Sequence, residues 1–277
     1  MNNYGEKSRA EGHDYEDVVA DNFNQCGLLS RVISNEKVSG ILDSKTTAKS
    51  DVNIRERLGL SVKNPQKSSS SIQMMIMPQR SMIKFLNPTD EVTKYVKLFF
   101  GGKHFEQVCN DVGVHYNSLD FDQEARRSRC LHTSIPGNIQ GAFLEYMNRD
   151  NIKKLIVTTV LKKGFCSEET HWADKMLWSD SSEEGGKSNT KHVYLCDIEE
   201  LIENICENEW IIRDSNSVWE LGPLTLQMKG SGKKRGSSYH SLQFNMSLND
   251  LRNKCENMEN FVNGSCSEIA SYLKEII

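Results

Sequence analysis

Between Ser50 and Lys63 the chain alternates in a way that leaves little choice of local structure. Val52 and Ile54, then Leu60 and Val62, fall on one face of two short strands, because successive strand side chains point to opposite sides. Asp51, Asn53, Ser61 and Lys63 share the other face, and Glu56-Arg57-Leu58-Gly59 is expected to turn the chain between the strands. One face is apolar and needs a core. The other sets a carboxylate beside an ammonium. A carboxylate binds hard divalent cations and a lysine attracts phosphate, the minimum for metal-assisted phosphodiester hydrolysis. An ordinary amphipathic hairpin with a solvated face is the plain alternative, so the flanking segments decide.

Ahead of the hairpin, Tyr15, Val18, Val19, Phe23 and Cys26 repeat at helical spacing within a helix expected over 10–25, closed by Gly27. Glu16 sits at the edge of that apolar stripe. Behind the hairpin, Ser68-Ser69-Ser70-Ser71 offers helix caps, and Ile72, Met75 and Ile76 are spaced for a short helix that would carry Gln73.

The order helix glutamate, aspartate strand, lysine strand, polar linker, glutamine helix resembles the PD-(D/E)XK nucleases. The resemblance implies an α/β restriction-endonuclease-like core, a central mixed sheet flanked by helices. It implies Mg2+ held by Asp51 and the backbone carbonyl of Val62, with Glu16 a direct or water-mediated ligand and Glu11 a second candidate. Lys63 would orient or activate the attacking water and counter charge on the phosphate. Gln73 would face the site. The second acid of the family pattern is absent, since Ser61 occupies its place and offers at most a hydroxyl through water. Several restriction endonucleases of this type carry a neutral residue there and remain active, although a descendant that lost catalysis fits the same substitution. The family proline is replaced by Ser50.

Near the C-terminus, Leu224 to Lys229 and Ser241 to Met246 alternate as strands around the loop Gly230-Ser231-Gly232-Lys233-Lys234-Arg235-Gly236. This hairpin resembles the terminal segment of several type II restriction endonucleases. With Lys49 and Gln73, it makes Lys229, Lys233, Lys234, Arg235 and Gln243 the expected DNA-binding residues. Such groups can read base edges or hold phosphates, and the sequence leaves both open. The activity expected from the resemblance is that of a type II restriction endonuclease, Mg2+-dependent and sequence-specific for double-stranded DNA. A structure-specific or repair nuclease of the same fold, or an inactive DNA-binding relative, is the alternative. A homodimer and a cognate DNA methyltransferase as genetic partner would accompany the first reading.

Charge distribution agrees with a phosphate-binding face. The net charge is −4, yet residues 37–67 hold seven basic side chains against three acids, while acids collect at Glu199, Glu200, Glu203, Glu207 and Glu209. The eight cysteines form no CxxC pair or zinc spacing, which suits reduced thiols in a cytoplasmic protein. No apolar run is long enough for a membrane span, and the N-terminal residues lack the apolar stretch of a signal peptide. Gly185-Gly186-Lys187-Ser188 has the tail of a P-loop, but Ser181 stands where its leading glycine belongs.

The 277 residues are expected to form a single nuclease domain, with a catalytic core over about 10–100 and helical and DNA-recognition elements after it. Helices are expected at His104–Asn110, Asp120–Arg129, Ile139–Asn148 and from Leu155 to Lys163. Strand or helix is open for Glu91–Phe100, and turn or strand for the segment holding Trp172 to Trp178. A strand at Lys191–Cys196 should precede a helix capped by Asp197, and helical periodicity runs over Asn249–Ile277 with a break near Asn263-Gly264.

Overall fold

The apolar face of the hairpin is buried as its alternation requires. Val52–Ile54 and Leu58–Lys63 pair antiparallel, with Val52 opposite Leu60 and Ile54 opposite Leu58. Val52, Ile54, Leu60 and Val62 pack against Tyr15, Val19 and Phe23 of the helix Tyr4–Gln25 and against Ile269 and Leu273 of the helix Cys266–Ile276. Each such aliphatic side chain contributes roughly 1.5–3 kcal/mol on burial, so this layer fixes which way the polar face points.

This computed structural model describes residues 4–41, 45–65, 69–101, 105–114, 121–122, 127–128, 130–179, 192–214, 218–228 and 241–277. The fold is mixed α/β, and the chain divides into two compact units. The first comprises residues 1–72, 157–204 and 247–277. Its sheet runs Ser30–Val32, Val52–Ile54, Leu58–Lys63, Lys175–Ser179, His192–Asp197, Val262–Ser265. Neighbours are antiparallel except Leu58–Lys63 and Lys175–Ser179, which run parallel with Leu60 opposite Lys175. The sheet is therefore mixed. Gly59 is needed for this pairing, because a Cβ there would fall 2.0 Å from the Trp172 carbonyl oxygen. Its backbone N–H instead donates to Asp174 Oδ2 at 2.9 Å.

The second unit comprises residues 73–156 and 205–246. Its sheet runs Ile211–Arg213, Val218–Leu221, Leu224–Met228, Ser241–Ser247, Ser71–Pro78. Its core is aromatic: Tyr95 stacks on Phe143 at 3.9 Å, and Trp219 meets Phe100 and Phe143, each at 4.5 Å. Among the described residues no helix is long and apolar enough to cross a membrane.

Several expectations need correction. The stretch after the serine run is the strand Ser71–Pro78, not a helix; Ile72, Met74 and Met77 are its buried side chains and Gln73 is exposed. Asp120–Arg129 is not helical where it is described, since Phe121–Asp122 pairs with Arg127–Ser128. The first turn lies at 55–57, one residue earlier than expected, because Leu58 already pairs with Ile54. The helical ending is divided by the strand Val262–Ser265, whose residues pair with His192–Leu195. The segment around Trp178 is a strand inside the sheet, Lys175–Ser179. Residues 90–100 are helical, capped by Thr89 and ended at Gly101 with φ 66°.

Candidate active site

Asp51 stands at the open end of the hairpin, held by its backbone. Its N–H donates to Leu60 O at 2.6 Å, and its carbonyl accepts from Ile33 N at 2.9 Å. The two residues before it are pinned as well, because Lys49 N and Ser50 N both donate to His171 O at 3.0 Å. The Asp51 carboxylate is thereby aimed across the hairpin. Its Oδ2 accepts from Val62 N at 2.7 Å, from Lys63 Nζ at 2.9 Å and from Ser61 Oγ at 3.3 Å. All its side-chain hydrogen bonds to described residues fall on Oδ2, which leaves Oδ1 to a further ligand.

The Lys63 ammonium donates to Val62 O as well, at 3.1 Å. One cation thus sits between two oxygens of the hairpin, the Asp51 carboxylate and the Val62 carbonyl. Both side chains of the ion pair are largely buried, 18 % and 14 % exposed, so the pair is shielded from solvent on most sides.

Glu16 is buried on the first helix, and its Oε2 accepts from Ser34 Oγ at 2.6 Å and His13 Nδ1 at 3.0 Å. Burial pushes its carboxyl above the ordinary range, and the Asp51 charge pushes it further. Two carboxylates therefore share one locale and repel. Lys49 adds a second lysine to the group. Burial, and then the charge of Lys63, bring its ammonium down to about 7, against a smaller opposing effect of Asp51. Gly164, at φ 59°, lies close along its stem: a Cβ there would be 3.4 Å from Lys49 Cβ.

The structure thus brings together Glu16, Lys49, Asp51, Ser61, Val62 and Lys63. Gln73 lies on the strand Ser71–Pro78, in the other compact unit. Gln243 is in that unit too, and its Nε2 donates to Asn245 Oδ1 at 2.6 Å. Lys229, Lys233, Lys234 and Arg235 lie outside the described residues, and so does the Glu11 side chain. Sequence reasoning missed the partners of Glu16. His13 could have been found, three residues before Glu16 on a helix; Ser34 carried no signal.

Oxygen chemistry is what this site offers a cation: two carboxylates, a backbone carbonyl and a hydroxyl. Among the described residues no three His, Cys, Asp or Glu side chains gather as a metal cluster. A sparse set of this kind fits Mg2+, which is commonly held by one or two carboxylates and completes its shell with water and substrate phosphate.

No family model matches the sequence, and no match is found among curated proteins. Among solved structures, the chain is similar to the restriction endonuclease MspI in complex with its cognate DNA, at TM-score 0.37 and 13 % identity over 79 % of this chain and 70 % of that one. A likeness of that degree does not define a common fold, and the reading of the site rests on its own geometry.

Proposed function

We propose that the protein is a Mg2+-dependent DNA endonuclease of the PD-(D/E)XK type, working as a type II restriction endonuclease on double-stranded DNA. The observation that carries the reading is the meeting of Asp51, Lys63 and the Val62 backbone on one polar face, with Glu16 close enough for the Asp51 charge to disturb it. Asp51, the Val62 carbonyl and Glu16 would hold the metal, which lowers the pKa of bound water and offsets phosphate charge. A cation there also relieves the repulsion between Glu16 and Asp51. With its Oδ2 fixed by the Val62 N–H, Asp51 would bind through Oδ1. Lys63 places a positive charge where the attacked phosphate gains negative charge, and orients the attacking water. Ser61 holds Asp51 in place by its hydroxyl.

Lys49, Gln73, Gln243 and the basic segment with Lys229, Lys233, Lys234 and Arg235 are proposed to contact DNA. A homodimer, a cytoplasmic location and a neighbouring methyltransferase gene belong to the same reading. Incubation with plasmid DNA with and without Mg2+ tests it: discrete fragments are expected only with the metal. A smear would indicate a non-specific nuclease instead. The second reading, a DNA-binding relative without catalysis, is favoured by Ser61, a neutral group fully buried where the family pattern has an acid. Binding without cleavage at any Mg2+ concentration would establish that reading.

A further inference from the structure

A recess of about 590 Å³ opens at the end of the sheet edge away from Asp51, lined by Asn24, Arg31, Asn53, Arg55, Glu56 and Arg57 among others. The register fixes its place. The edge strand Ser30–Val32 runs antiparallel to Val52–Ile54, with Val32 opposite Val52 near Asp51 and Ser30 opposite Ile54 beside the recess. The first helix spans the same interval. Glu16 marks the active-site end, and Asn24 marks the recess end, where its Nδ2 donates to Ser30 O at 3.0 Å. Those eight helical positions separate the two ends by about 12 Å at a rise of about 1.5 Å per residue.

The lining contains a polar group without a partner. Asn53 is only 6 % exposed, and its Oδ1 has no hydrogen-bond partner among the described residues. An unmade hydrogen bond of this kind costs on the order of 1–3 kcal/mol. The amide can present either its oxygen or its nitrogen to a ligand. Of the lining arginines, Arg55 and Arg57 have no ion pair with a described residue, whereas Arg31 is bonded to Glu36 at 2.5 Å. Leu29, 76 % exposed, adds apolar surface beside them.

The turn that carries these arginines has an unusual composition for its shape. Arg57 N donates to Ile54 O at 3.0 Å, and the two central residues, Arg55 and Glu56, have φ of 49° and 57°. Positive φ at both central positions is the mark of a type I′ turn, for which Asn-Gly is the favoured pair. An arginine at such a φ is strained. Here it keeps an arginine in the lining of the recess.

We propose that this recess is a phosphate subsite, in which Arg55 and Arg57 hold a backbone phosphodiester of the DNA three to four nucleotides from the bond positioned at Asp51. The span of about 12 Å equals three to four base steps at about 3.4 Å each. Guanidinium groups suit phosphate oxygens by their planar fork of donors. The inference rests on the nuclease reading for what passes along the sheet edge.

The test is DNA binding without cleavage. A labelled duplex two helical turns long is titrated with the full chain in chelator across a range of salt, using wild type and Arg55→Asn/Arg57→Gln. Asparagine tolerates positive φ, so the thermal midpoint of the variant should stay at or above that of wild type. Its affinity should fall about tenfold at moderate salt, and the slope of log K against log salt should shrink by about 0.9, for the one phosphate that the two arginines hold. Wild-type affinity and slope in the variant would overturn the subsite and leave the nuclease reading intact. Failure of wild type itself to bind DNA would overturn both. A second titration uses a free nucleoside monophosphate as the other source of phosphate. If the variant loses that ligand while its DNA slope is unchanged, the recess takes free nucleotide, and the proposal for DNA is wrong.

Discussion

At the scale of single residues, the nuclease reading gives the chemistry to Asp51 and Lys63, and the two should fail differently. Asp51→Asn keeps the shape of the side chain but removes the anion proposed to hold Mg2+, so cleavage should vanish while DNA binding persists. Near wild-type cutting by that variant would remove Asp51 from the site. Lys63→Ala should slow single-turnover cleavage by about a hundredfold or more, because it deletes a charge aimed at the developing anion. Arg55→Ala or Arg57→Ala with an equal single-turnover loss would deny Lys63 any special role. Lys49 makes a prediction in pH. Its pKa in the fold is about 7, against 10.5 for an ordinary lysine. Between those values the unfolded chain holds a proton that the folded chain has released. Stability from this group is therefore lowest below about pH 7 and rises as the pH climbs toward about 10.5. Lys49→Met should accordingly raise the thermal midpoint in chelator more at about pH 6 than at about pH 9. Equal gains at both would mean that its ammonium is not penalised in the fold.

Secondary elements were legible wherever one local pattern decided them. The hairpin declared itself because Val52, Ile54, Leu60 and Val62 have no other way to share a core. The first helix did so through Tyr15, Val19 and Phe23. Residues 71–78 did not, because Ile72, Met75 and Ile76 fit a helical spacing while Ile72, Met74 and Met77 are the ones buried. The run Ile-Gln-Met-Met-Ile-Met has apolar residues at both periods. Gly59 was read as a turn residue, although its role lies in the backbone of a distant segment that nothing nearby announces. Gly59→Ala would drive a methyl against the Trp172 carbonyl oxygen, a backbone atom that cannot swing aside. It should cost about 1–3 kcal/mol or more in chemical denaturation, and cleavage should fall with the fraction folded. An unchanged denaturation midpoint would show that the two strands part easily.

For the whole molecule, the legible portion ends where sequence separation becomes large. The candidate site was readable from residues 16 to 63 because helix, aspartate and lysine lie close in the chain. The strand beside the lysine strand was not, since Gly59 and Asp174 meet across 115 positions. Nor did composition reveal that the unit holding the site is gathered from three separate stretches. If the basic segment Lys233-Lys234-Arg235 touches DNA, replacing all three by serine should flatten the salt dependence of binding by about 0.9 per lost phosphate contact. Unchanged binding at every salt concentration would remove that segment from the DNA surface.

The parallel pairing of Leu58–Lys63 with Lys175–Ser179 also sets a schedule for synthesis. Chains emerge from the ribosome at about 5–20 residues per second, so the lysine strand waits roughly 6–23 s for the neighbour that covers it. Throughout that interval one edge of the strand is open. A translation product cut short before Lys175 should therefore lack an assembled centre and leave the DNA around it whole.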